Sequence, residues 1–168
     1  MDEWIAGFAP DRWGPQLAVL AATAYAMLLG GVIGFERELK NRPAGFRTHM
    51  LVAGAAALLV GLGDLLATHF SAQYPAQLLR VDPIRLIEAV VTAVGFLGAG
   101  AIFRRAGGNS ISGLTTAASL LMVATIGIAA GLHAQFLALG ATLLTLGVLV
   151  VLAWVERRTG TREEGRRQ

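Results

Sequence analysis

Five apolar runs of about twenty residues each, separated by short polar stretches, set the pattern of this chain: Leu17–Phe35, His49–Leu66, Ile84–Phe103, Leu114–Leu132 and Ala134–Val155. The hydrocarbon core of a bilayer, about 30 Å thick, takes roughly 20 helical residues to cross. The runs are continuous and do not alternate as the strands of a membrane barrel do. A helix satisfies its own backbone groups in lipid, so the pattern predicts an all-α, polytopic transmembrane bundle of about five helices. Residues 1–16 precede the bundle, 17–155 form it, and 156–168 are a short charged tail expected to be disordered.

The connections carry the polar residues. The first is read as Glu36–Arg47, the second as Ala67–Pro83, and the third as the Gly-rich turn Arg104–Gly113. Only His133 separates the last two runs, which predicts a tight antiparallel hairpin. Lys and Arg then set the orientation. Eleven of the 14 basic residues lie in the first connection, the third connection and the tail; Arg12, Arg80 and Arg85 lie on the other side. Basic residues collect on the cytoplasmic side of a membrane, so the expectation is N-terminus outside and C-terminus in the cytoplasm. The start, Met1-Asp2-Glu3-Trp4, is acidic and lacks the positive region of a cleaved signal. The first run is therefore expected to stay as a signal anchor in the lipid bilayer.

Composition agrees with this picture. Charged residues make up 15% of the 168 residues and hydrophobic ones 55%, against about 25% charged in average soluble domains. The mean hydropathy is +0.60 and the sequence pI about 10.2. The net charge of +3 lies in topology-setting clusters with no aromatic residues to stack bases, so no nucleic-acid partner is expected. Cysteine is absent, which removes disulfides, thiolate nucleophiles and Cys metal sites. No spacing of His, Asp and Glu resembles a catalytic metal site, and no nucleophile is paired with a base, so no enzyme is expected.

Polar motifs cluster at the two ends. At the inner end, Gly30 and Gly34 form a small-residue face for close helix approach, followed by Glu36, Arg37 and Glu38. Arg47, Thr48 and His49 open the second run, with Thr48 the expected N-cap. Thr115 and Thr116 open the fourth. Glu36, Arg37, Arg47, Thr48, Thr115 and Thr116 form a candidate inner polar site; an interfacial charge cap on a packing face is the simpler reading of its first members. His49 alone is weak evidence for a ligand.

At the outer end, Asp82 before Pro83 reads as a helix start, an acidic cap with proline at the first helical position. Arg85 and Glu88 are three residues apart and able to pair on one face. Glu88 lies more than a turn inside its run, where an ionisable group is costly. The stripe Glu88, Thr92, Gly95, Ala99 is small and predicts a face turned toward the bundle. Asp64, Asp82, Arg85 and Glu88 thus form a candidate outer polar or cation site, of the oxygen-donor type that suits Mg²⁺. A salt-bridge network ordering the helix ends fits the same residues. Gly95, Gly98, Gly100, Gly127 and Gly131 add expected packing faces. They suit a homodimer as well as packing within one bundle.

Five segments in order, from about Leu17 to Leu132, resemble the membrane domain of the MgtC/SapB family: Gly34-Phe35-Glu36-Arg37-Glu38, Ala44-Gly45-Phe46-Arg47-Thr48-His49, Asp82-Pro83-Ile84-Arg85, Gly95-Phe96-Leu97-Gly98-Ala99-Gly100-Ala101-Ile102 and Gly113-Leu114-Thr115-Thr116-Ala117-Ala118-Ser119. The resemblance implies a bacterial inner-membrane protein of about five helices, linked to magnesium limitation, virulence and stress adaptation. Some members are described as inhibiting the rotary ATP synthase, which implies another membrane protein as partner; older descriptions make them accessories of magnesium transport. The chain departs from the family in having Glu88 where Gln is common and Thr92-Ala93 where a Ser-Gly pair is common. Longer members also carry a soluble C-terminal regulatory domain that is not expected here. Two functions follow as expectations: a regulator that binds another membrane protein, or a small Mg²⁺ or proton transporter or channel. No cofactor is implied beyond a Mg²⁺ ion.

Overall fold

The computed structural model describes residues 13–73, 82–104 and 111–158. Five helices run through them: α1 Trp13–Leu39, α2 Phe46–Gln73, α3 Pro83–Ala101, α4 Leu114–Gly131 and α5 Gln135–Arg158. At 1.5 Å per residue, the 27 residues of α1 extend about 40 Å. α1 to α4 are each long and apolar enough to cross a membrane; the apolar part of α5 over its described side chains, Gln135–Val151, is shorter. Large side chains such as Phe136 and Phe96 lie exposed on the outside of the bundle, where lipid is their favourable surrounding. The chain is a helical membrane protein, as the apolar runs predicted.

α4 is the centre and packs against all four other helices. Its neighbours come close because the facing residues are small. A Cβ added to Gly127 would lie 2.2 Å from the carbonyl oxygen of Ala53, and one on Gly131 2.8 Å from that of Ala57. Gly30 and Gly34 bring α1 equally close to the backbone of α2 around Phe46 and His49. Ala26, Ala53, Ala56, Ala57, Ala124 and Ala130 fill the seams, with Ile33, Val123 and Ile126 as the larger core residues. Association in lipid rests on such close packing.

The ends of the helices differ from the boundaries read off the hydropathy. Glu36, Arg37 and Glu38 belong to the last turn of α1 and not to a connection. Hydropathy registers their charge but not the neighbours that accommodate it. α2 likewise runs on to Gln73, past Leu66. α3 stops at Ala101, and Phe103–Arg104 (β1) pairs antiparallel with Ile111–Ser112 (β2). The third connection is therefore closed by a short hairpin, whose residues 105–110 lie outside the description. Gly113 ends it with φ +96°; a Cβ there would meet the Ala101 carbonyl at 2.0 Å, so only glycine fits.

Two expected starts and turns are present. Asp82 caps α3, accepting from the Ile84 N–H at 3.0 Å, with Pro83 in the first turn. The α4–α5 turn is as tight as predicted: His133 takes φ 59°, and Leu132, His133 and Ala134 donate back to Ile128, Ala130 and Ala129. Thr48 is not an N-cap, because α2 begins at Phe46. Glu38 serves there instead, accepting from the Phe46 N–H at 2.8 Å, a carboxylate at the positive end of a helix. Residues 13–16 of the predicted N-terminal segment already belong to α1, while residues 1–12 and the tail beyond Arg158 lie outside the described residues.

Candidate functional site

At the end of the bundle where α1 stops and α2 and α4 start, four polar side chains are buried together. Arg37 is 3% exposed, His49 0%, Thr116 2% and Ser119 4%. Helical spacing explains the assembly. Arg37 follows Ile33 by one turn on the buried face of α1, and Thr116 precedes Ser119 and Leu120 on the buried face of α4. Gly30 and Gly34 of α1 let the α2 backbone at His49 approach, which leaves the imidazole no route but inward.

The bonds form a chain across three helices. Arg37 Nη2 donates to Thr116 Oγ1 at 3.2 Å. Ser119 Oγ donates to the Thr116 carbonyl at 2.8 Å and lies 3.1 Å from His49 Nε2. His49 Nδ1 lies 2.9 Å from the Gly45 carbonyl. Beside this chain, Glu36 pairs with Lys40, whose ammonium also donates to the Leu149 carbonyl of α5 at 2.9 Å. Glu36 Oε2 and Arg37 Nε are buried without a hydrogen-bond partner among the described residues. Such groups are costly in hydrocarbon, so the cluster is held in place by the packing around it.

The predicted inner site is thus half correct. Arg37 and Thr116 meet, and Glu36 lies beside them. Arg47, Thr48 and Thr115 are exposed and point away from the cluster. His49 and Ser119 were missing from the predicted set and are its core. Their separation of 70 residues leaves no trace in local spacing.

The predicted outer site is looser. Arg85 Nε lies 3.9 Å from Asp82 Oδ2, so its carboxylate neighbour is Asp82 and not Glu88. Asp82, Arg85 and Glu88 line a shallow cavity of about 620 Å³ with Ala89, Thr92 and Ala93. Asp64 does not line it. Among the described residues no group of three His, Asp or Glu side chains is placed to hold a metal.

The orientation of α3 is reversed from the expectation. Glu88, Thr92, Gly95 and Ala99 all lie exposed. Val90 and Val94 are the residues buried against the bundle. A Cβ on Gly95 or Gly100 would meet nothing within 4 Å, so neither is a packing residue inside this chain; Gly98 does touch Ala117. The branched valines pack the seam, and the small, polar stripe is left outside. Only 17% of the α3 span is buried, against 61% for α4.

The model of the MgtC family matches residues 23–158. The chain is 37% identical over 148 residues to Protein SapB of Bacillus subtilis, covering 88% of this chain and 62% of that protein. It is 40% identical over 119 residues to Protein MgtC of Brucella abortus, covering 71% and 44%. To the putative magnesium transporter YhiD of Escherichia coli it is 37% identical over 131 residues, covering 75% and 56%. It therefore spans about half to three fifths of the length of these relatives. No solved structure matches it. With a membrane bundle, the five motifs placed at its helix ends and a family match over most of its length, the chain belongs to the MgtC family.

Proposed function

We propose that this chain is a regulator in the bacterial inner membrane, linked to magnesium limitation or stress adaptation, that acts by binding another integral membrane protein through the outward face of α3. The observation that carries the reading is that face. Glu88, Thr92, Gly95 and Ala99 form a small, polar stripe exposed on the least buried span. An acidic side chain at the centre of a bilayer costs about 2.5–3.5 kcal/mol, and Glu88, in the second turn of α3, bears part of that cost. A partner helix with a basic or hydrogen-bonding side chain opposite Glu88 relieves that cost, and Gly95 lets it approach closely. The reading includes no catalytic step.

A photo-crosslinking residue at Thr92 tests it in native membranes, with one at Leu144 on the outside of α5 as control. The expected result is an adduct with a second membrane protein from Thr92 alone, weakened by Glu88→Gln. Identification by mass spectrometry includes the ATP synthase among the candidates. Adducts with lipid only, or equal adducts from Leu144, contradict the reading.

A second reading, a small Mg²⁺ or proton transporter, draws on the name of the Escherichia coli relative and on the cavity beside Asp82, Arg85 and Glu88. Flux into liposomes holding the purified chain decides it. Equal flux with Glu88→Gln removes the role of that cavity.

A further inference from the structure

We propose that His49 is a buried proton-binding site whose two states are read out by the hydroxyl of Ser119. The inference is independent of the docking reading and rests on counting hydrogens in the buried chain. The Gly45 carbonyl can only accept, so His49 Nδ1 carries a hydrogen and donates to it at 2.9 Å. In the neutral ring Nε2 is then a bare acceptor, 3.1 Å from Ser119 Oγ. Ser119 has one hydrogen and two acceptors within reach, Nε2 and the Thr116 carbonyl at 2.8 Å. It serves one and leaves the other. When a hydronium ion delivers a proton to Nε2, the imidazolium donates to Ser119 Oγ, and Ser119 donates to Thr116. All three contacts are then hydrogen bonds, and no covalent bond in the protein is broken.

Full burial makes the imidazolium costly, and the groups around the ring are what can hold it. On α1 the ring faces Glu36 and Arg37, whose charges act on it in opposite senses. On α4 it faces only hydroxyl and carbonyl groups, those of Thr116 and Ser119. Glu36 Oε2 lacks a hydrogen-bond partner among the described residues and supplies counter-charge. Arg37 is tied to Thr116 by a 3.2 Å hydrogen bond. A cleft of about 310 Å³ between α4 and α5, lined mostly by apolar side chains, reaches Ser119.

Ring ¹⁵N spectra of the full chain in phospholipid nanodiscs test this between about pH 5 and about pH 9, the range in which histidine commonly titrates. The chain has three histidines, so His69→Gln with His133→Asn leaves His49 as the sole reporter. The expected alkaline form carries its hydrogen on Nδ1, and the expected acid form carries both. Ser119→Ala removes the acceptor of the charged form, whose bond is the stronger one, and should lower the midpoint by about one pH unit. A ring protonated on Nε2 in alkali, a ring that stays in one state across the range, or an unmoved midpoint in Ser119→Ala each overturns the proposal. The first two need no substitution in the cluster and stand even if Ser119→Ala fails to fold.

Discussion

Single glycines separate the buried seams from the open face. Gly127 has the Ala53 carbonyl in the place a Cβ would take, whereas Gly95 has nothing there. Gly127→Ala should therefore cost about 2 kcal/mol, the usual penalty for overpacking. Gly95→Ala should leave stability unchanged or slightly raised through helix propensity. Thermal unfolding in detergent compares the two, and equal losses would mean that α3 is packed on that side as well. Residue-level chemistry was the least legible part of the sequence. Arg37 and Thr116 stood out because charge and hydroxyl groups are conspicuous in apolar runs. Ser119 did not, since a serine among alanines looks like a packing residue until His49 is folded against it.

The elements were legible because the hydrocarbon requirement imposes their length. Their ends were less so. α1 runs four residues past Phe35 to Leu39, because the Glu36–Lys40 pair and the Arg37–Thr116 bond accommodate charges that a hydropathy reading treats as a stop. Asp82 is the opposite case: a local cap signal needs no distant partner and was read correctly. Asp82→Ala should cost about 1 kcal/mol, seen as a lower melting temperature with the other helices intact. A variant as stable as the parent would show that Pro83 alone starts α3. The facing of α3 could not be read from its pattern. Period 3.6 defines both the Glu88–Thr92–Gly95–Ala99 stripe and the Val90–Val94 stripe, and only the neighbours decide which is covered.

At the scale of the whole molecule, α4 anchors a bundle in which α3 is held on one side only. The charged cluster lies at one end and the α4–α5 turn at the other. The positive-inside bias predicts that the cluster end faces the cytoplasm, the compartment whose pH a proton-binding His49 would then sense. The chain has no cysteine, so single substitutions report without interference. Arg42→Cys, in the α1–α2 connection, and Leu132→Cys, in the α4–α5 turn, can be labelled with a membrane-impermeant maleimide in sealed right-side-out and inverted vesicles. The account predicts that Arg42→Cys reacts only in inverted vesicles and Leu132→Cys only in right-side-out ones. Labelling of both positions from the same side would contradict a bundle that crosses the membrane between them.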